Sequence, residues 1–406
     1  MNRIPWKIVA LLWAAFFLAY VVRQSISSTF AILRVELSFT DVQLGLTGTV
    51  FLWVYALMNP VAGHIGDKFP KHKVIGLSLV LWSIATLLMG AANSPETLLA
   101  GRAALAVAQG LYAPTALAYI SLVHSPATRG TAITAHSTAQ YVGVIAGGWY
   151  GGYVAEALNW RWMFWLIALA TVLYAAFLYA MLRRYAVSGP AAQPKDAPRS
   201  SISGIFKTSS YWALTFAFIA VNAVLWIVYT WLPDILQQKF SLSAASAGLN
   251  ATAYVQISMI AGLVVGAPLG DWLTPRTVRG RVYLMVFGLV LSSPCVYWIA
   301  AAPTLDQMRV AAVGYGFFKG IFSGNMWAAL LAVVPNDRRA FGVGFTNATG
   351  GVFGGLSSYL VGYFRGRFPV ETMLGAAALL GWISALALVY TIWRTYVRDC
   401  ERIRTA

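Results

Sequence analysis

Long apolar blocks, each broken by a short cluster of charge, Pro or Gly, recur about twelve times along the 406 residues. Their approximate limits are 6–33, 43–65, 74–92, 96–123, 130–155, 161–182, 211–236, 245–270, 282–301, 306–333, 338–364 and 371–395, numbered here as spans 1 to 12. Blocks such as Val74–Ala92 and Arg161–Leu182 approach the roughly 20 residues that a helix needs to cross a hydrocarbon core about 30 Å thick. They are continuously apolar rather than alternating with period two, which predicts helices and not the strands of a barrel. The expected fold class is all-α and integral to a membrane, with twelve transmembrane helices in two pseudo-symmetric six-helix bundles.

The pattern is interrupted most widely at Arg183–Ser210, a Pro-, Ala- and Ser-rich stretch with Arg183, Arg184, Lys195, Arg199 and Lys207. It predicts a cytoplasmic linker over residues 185–210 between an N-terminal bundle (1–184) and a C-terminal bundle with a short cytoplasmic tail (211–406). The halves repeat each other. Gly66-Asp67-Lys68-Phe69 closes span 2 and Gly270-Asp271-Trp272-Leu273 closes span 8. Span 5 carries Gly143, Gly147, Gly148, Gly151 and Gly152, and span 11 carries Gly350, Gly351, Gly354 and Gly355. Small residues at one-turn spacing let helix backbones approach closely inside a bilayer, and repeated halves are characteristic of secondary transporters.

Composition sharpens this picture. Hydrophobic residues make up 59% and charged residues only 10%, against about 25% charged in soluble domains. The net charge of +16 would suit a nucleic-acid binder, but about 20 of the 29 Lys and Arg fall at the N-terminus, in even-numbered loops and in the tail. That bias places both termini in the cytoplasm and reports orientation in a cell (plasma or inner) membrane, so nucleic acid is not an expected partner. The first apolar run is too long for a signal-peptide core and should remain as helix 1. Cys295 and Cys400 offer neither a disulfide nor a metal framework. No HExxH, phosphate-binding loop or nucleophile elbow stands in a usable context, so neither an enzyme nor a cofactor is expected. A monomer in the lipid bilayer, handling a small solute, is the simplest assembly.

Spans 2 and 3 are joined by Gly63-His-Ile-Gly-Asp67-Lys68-Phe-Pro70-Lys71-His72-Lys73. This resembles the loop motif of the major facilitator superfamily, with Pro70 in place of the usual Gly. The resemblance implies that Gly63, Asp67, Lys68 and Lys71 latch helix ends, with Asp271 as the second-half counterpart. A finer resemblance is to the anion:cation symporter branch, which carries sugar acids and other organic anions. It rests on Tyr20-Val21-Val22-Arg23, on Phe51 with Tyr55, on Arg102, Gln109 and Pro114, on Gln140, and on Gly344-Phe345-Thr346-Asn347. Two departures matter: the branch's span 1 Asp is Val22, and its span 4 Glu is Gln109. Those acids are the proton carriers the branch implies. Arg23 without an adjacent Asp is similar to the organophosphate:phosphate exchangers, whose span 7 Arg is here Leu225.

Two cations remain deep in apolar spans, Arg23 in span 1 and Lys319 in Gly316-Phe317-Phe318-Lys319-Gly320 of span 10. A central cation costs about 2.5 kcal/mol or more, so it marks a functional candidate by default. The resemblance implies that spans 1, 4, 7 and 10 line the cavity, so both could meet one anion. Arg offers a planar fork and Lys a point charge. Tyr55, Gln109, Gln140, Asn222, Asn325 and Asn347 are candidates to orient hydroxyl groups, with Trp226 or Trp327 as flat walls. Arg102 reads as a structural or gating cation. Every acid, Asp234 included, is expected at a helix end, in a loop, in the linker or in the tail, leaving His136 as the stand-in for a buried proton carrier. The expected function is secondary active or facilitative transport of a small organic anion. The alternatives are an organophosphate/phosphate-type exchanger, a multidrug exporter suggested by sixteen Trp, or a receptor that binds without translocating.

Overall fold

A computed structural model describes residues 4–185 and 202–405. Twelve long helices follow one another: α1 Ile4–Glu36, α2 Asp41–Lys68, α3 Lys71–Gly90, α4 Pro95–Val123, α5 Pro126–Ala157 and α6 Trp160–Arg184, then α7 Ser209–Phe240, α8 Ala244–Leu273, α9 Gly280–Ala301, α10 Leu305–Leu331, α11 Arg339–Phe364 and α12 Val370–Arg394. A last helix, α13, covers Tyr396–Thr405. They are the twelve transmembrane helices of the expected fold. Nine of them, among the described residues, are by themselves long and apolar enough to cross a membrane. The other three, α5, α10 and α11, are diluted by Gly, Ser and Thr at helix contacts.

Local chemistry explains where the helices begin. Thr40 and Gln43 form a capping box at α2, and Ser94 and Thr97 form one at α4, where Pro95 occupies the first turn. Two connections match across the halves. Ser38 before α2 and Ser241 before α8 both adopt the left-handed conformation, with φ of 55° and 51°, each three residues ahead of its helix. α1 tightens into a 3-10 turn at Ile26–Thr29, and α4 breaks at Leu111, shortly before Pro114. Pro60, Pro233, Pro268 and Pro294 lie inside helices that continue through them, as membrane helices allow.

The chain divides into two compact units, Met1–Lys195 with Tyr229–Thr252, and Asp196–Val228 with Ala253–Ala406. In the first, Gly143, Gly147 and Gly151 of α5 face α1 every fourth residue. A Cβ at Gly147 would lie 2.5 Å from the Val21 carbonyl oxygen, and one at Gly143 would lie 2.7 Å from the Tyr20 Cβ. On the adjoining face Gly148 and Gly152 meet Gly248 and Ala244 of α8. The Gln24 amide donates to the Tyr229 carbonyl (2.8 Å), and the Ser28 hydroxyl to the Gly148 carbonyl (2.7 Å).

In the second unit, Gly262 and Gly266 of α8 meet Phe317 and Ile321 of α10, and Gly350 and Gly354 of α11 meet the rings of Phe218 and Trp226 on α7. The α5–α1 arrangement thus recurs as α11–α7. The core gathers Tyr211, Met285, Leu330 and Ile392, and α13 adds Tyr396 and Cys400 to it. Asp399 accepts hydrogen bonds from the Ser210 hydroxyl (2.6 Å) and backbone N–H (3.3 Å), capping α7. Of the expected 185–210 linker, residues 186–201, including Lys195 and Arg199, lie outside the described residues; Ile202–Phe206 is helical and buries Ile205.

Candidate substrate site

Arg23 stands one turn before the 3-10 segment of α1 and is only 9% exposed. Its Nε donates to Gln109 Oε1 at 2.6 Å. Three rings surround the guanidinium, with centroids 4.5 Å (Tyr20), 4.6 Å (Phe51) and 4.7 Å (Tyr55) from its central carbon. Gln109 is itself oriented by its amide, which donates to the Ala19 carbonyl (3.4 Å). Arg102 lies on the same helix, its Nε donating to the Thr47 carbonyl (3.1 Å) and its Nη1 to the Arg23 carbonyl (3.4 Å), above the Phe51 ring. Arg102 thereby ties α4 to α2 and α1. Among the described residues no carboxylate pairs with either arginine.

Physical chemistry gives this cluster a direction. Desolvated cation–π contacts contribute up to about 2 kcal/mol each, and a hydrogen bond to a charged group about 1.5–3 kcal/mol. These neutral partners hold the guanidinium in place without cancelling its charge. A guanidinium has five N–H donors, and an arriving carboxylate or phosphate is the partner that both neutralises and saturates it.

The remaining candidates divide between the units. Arg23, Tyr55 and Gln109 come together in the first. Gln140 is half-buried there on α5, one turn before the Gly143–Tyr20 contact, and makes no hydrogen bond to Arg23. Lys319 belongs to the second unit, 6% exposed, with Nζ 2.9 Å from the Met259 sulfur. It borders a cavity of about 20 Å³, together with Ser292, Ser293 and Tyr315, room for about one water. Trp327 is half-buried with its ring 4.9 Å from that of Phe218, whose carbonyl accepts from the Asn222 amide (3.0 Å). Asn347 is exposed on α11 beside Thr346, which bonds to Thr215.

Asn325 has a visible occupation of its own. Its amide donates to the carbonyls of Gly266 (2.9 Å) and Ile321 (3.0 Å), and its Oδ1 lies 3.4 Å from Arg281 Nη1. Arg281 also pairs with Asp271, so the second-half Gly-Asp motif joins α8, α9 and α10 through a guanidinium. In the first half Gly66 meets Thr115 of α4 at the position where Gly270 meets Asn325. Gly63 faces open space, Lys68 is exposed beside Phe69, and Lys71 is half-buried. The Asp67 side chain lies outside the described residues.

One expectation is corrected. Asp234 is not at a helix end: α7 runs on through Pro233 to Phe240, and Asp234 is fully buried within it. Arg34 grips it with both terminal nitrogens (2.6 and 2.9 Å) and holds Asp41 as well (2.7 Å). The expected span ends at residue 236, two residues past Asp234, whereas the helix continues to Phe240. Arg34 and Asp41 are seven residues apart and detectable as a local pair, but the 200-residue separation of Arg34 from Asp234 carries no sequence signal. His136 is buried against Phe16 (ring centroids 4.7 Å apart), with its Nε2 3.3 Å from the Tyr112 hydroxyl.

Known proteins resemble the chain over nearly its whole length. The D-galactonate transporter of Escherichia coli O6:H1 is 23% identical, with 97% of each chain covered. The hexuronate transporter of Bacillus subtilis is 23% identical over 94% of each chain. The crystal structure of a bacterial homologue of the human lysosomal transporter spinster, inward-facing and unoccupied, superposes with a TM-score of 0.83 at 18% identity, covering 98% of this chain and 99% of that one. The sequence profile of the Major Facilitator Superfamily matches residues 12–358. This multi-pass membrane protein is a member of the Major Facilitator Superfamily, a transporter and not an enzyme.

Proposed function

We propose that the protein carries a small organic anion, a sugar acid or a related carboxylate, across a plasma or inner membrane by alternating access, as a monomer with both termini in the cytoplasm. The observation that carries the reading is Arg23, buried and fixed by one amide and three rings, with a charge that no carboxylate among the described residues neutralises. Tyr55 and Gln109 present hydroxyl and amide groups beside it, suited to a polyhydroxylated acid. Lys319 supplies a second positive charge, and Gln140, Asn347 and Trp327 complete the candidate set. The galactonate and hexuronate relatives support the substrate class.

Coupling follows from the two departures, Val22 and Gln109. With no acid at either place, exchange or facilitated diffusion is favoured over proton symport. Arg23 without a neighbouring Asp also supports a second reading, a phosphate-ester exchanger. Purified protein in proteoliposomes tests both: counterflow of sugar acids without a pH gradient, abolished by Arg23→Ala in protein that still inserts, is the expected result. Transport of phosphate esters alone would favour the second reading, and normal flux by Arg23→Ala would remove both.

A further inference from the structure

Where α8 turns into α9 and α10 into α11, α13 lies alongside, and these elements enclose a cavity of about 440 Å³, within the range of about 300–1,000 Å³ typical of ligand sites. Arg281 and Arg339 line it with Asn336 and Thr274, and no acidic side chain does. Arg281 is also held by Asp271 and Asn325. Arg339, at the start of α11, is exposed and makes no ion pair among the described residues. The rest of the wall is apolar, including Val278, Leu331 and Ile403. Two guanidinium side chains beside apolar ones match a phosphate group attached to hydrocarbon.

Two neighbouring features place the cavity at a membrane–water boundary. Trp272 is 55% exposed, with the Arg276 guanidinium 4.0 Å from its ring centroid, the amphipathic pairing found at headgroup level. Arg394, Arg398 and Arg402 are exposed at every fourth residue from the end of α12 along α13, a basic stripe facing away from the side that buries Tyr396 and Cys400. Basic stripes and pockets on the cytoplasmic side attract anionic lipid headgroups.

We propose that this cavity is a binding site for a phosphate group, supplied by an anionic phospholipid of the adjoining leaflet and held between Arg281 and Arg339. Such a lipid tethers the α8–α9 turn, the start of α11 and α13 to one another. It is separate from the Arg23 site and does not depend on what is transported. A free phosphate ester has the same charged group, so the test separates the sources.

The full-length protein in phosphatidylcholine nanodiscs is titrated with phosphatidylglycerol, or with soluble glycerol 3-phosphate, while the melting temperature and retained lipid (native mass spectrometry) are read. Phosphatidylglycerol should raise the melting temperature and remain bound, and Arg339→Gln should weaken that binding on the order of tenfold. Arg309→Gln, at the opposite end of α10 from the cavity, should leave the retained lipid in place. A response to glycerol 3-phosphate alone would overturn the lipid assignment. Phosphatidylglycerol binding that is equal in wild type, Arg339→Gln and the cavity-filling Leu331→Trp would overturn the site.

Discussion

At the scale of single residues, Arg23 is defined by what surrounds it. Its fork is aligned by Gln109 and its plane by Tyr20, Phe51 and Tyr55. Lysine would keep the charge but lose the planar stacking and the Nε donor. Arg23→Lys is therefore expected to lower anion affinity about tenfold or more, measured as the concentration giving half-maximal counterflow, with insertion unchanged. Gln109→Glu tests the other half of the pair. An ionised carboxylate 2.6 Å from the guanidinium would occupy it, so binding should fall at neutral pH. Protonation on acidification removes that competitor, so binding should recover as the pH drops, whereas wild type lacks this dependence. A Gln109→Glu protein with wild-type affinity at every pH would show that solute does not meet Arg23. The type and depth of Arg23 were legible from its place in an apolar span. Of its partners only Tyr20 is local; Phe51, Tyr55 and Gln109 come from α2 and α4, and no local pattern names them.

Helix contacts set the next scale. Clustered glycines in spans 5 and 11 announced close packing, but only the folded chain says which ones need it. A Cβ at Gly147 would stand 2.5 Å from a backbone oxygen of α1, which cannot rotate away, whereas one at Gly63 meets nothing within 4 Å. Gly147→Ala should therefore cost about 1–3 kcal/mol through forced separation of α1 and α5. Gly63→Ala should be neutral or stabilise by up to about 1 kcal/mol, since Ala is the better helix former. Thermal unfolding of the two detergent-purified variants gives the comparison; equal melting temperatures would contradict it. The same packing explains why α5, α10 and α11 are not by themselves apolar enough to cross a membrane: small residues that admit a neighbouring backbone contribute little hydropathy.

For the whole molecule, the feature with most leverage is the grouping of Tyr229–Thr252 with the first 195 residues. Gln24–Tyr229, Gly148–Gly248 and the buried Arg34–Asp234 pair hold this segment against α1 and α5. The proposed alternating access requires those contacts to part. Asp234→Asn removes the fully buried carboxylate while Arg34 keeps Asp41. These contacts should weaken by about 1.5–3 kcal/mol, the range of a hydrogen bond to a charged group. Asp234→Asn should therefore expose a reporter placed by Ser28→Cys, raising its labelling by a membrane-impermeant thiol reagent on the order of tenfold or more. Unchanged labelling would assign Asp234 to static folding instead.

What the sequence determined by itself was the membrane setting, the twelve helices and the internal repeat, because hydropathy and small-residue spacing are properties of the local chain. It also singled out the buried cations, since charge in an apolar run is visible without coordinates. The tertiary structure alone decided that Asn325 bridges α8 and α10, that α13 docks on α7 through Asp399, and that Asp234 is buried against Arg34. Each of those depends on which helix faces which across many residues of intervening chain. Such pairings are settled by the packing of surfaces and by the need to satisfy buried polar groups, and neither is written in the order of neighbouring residues.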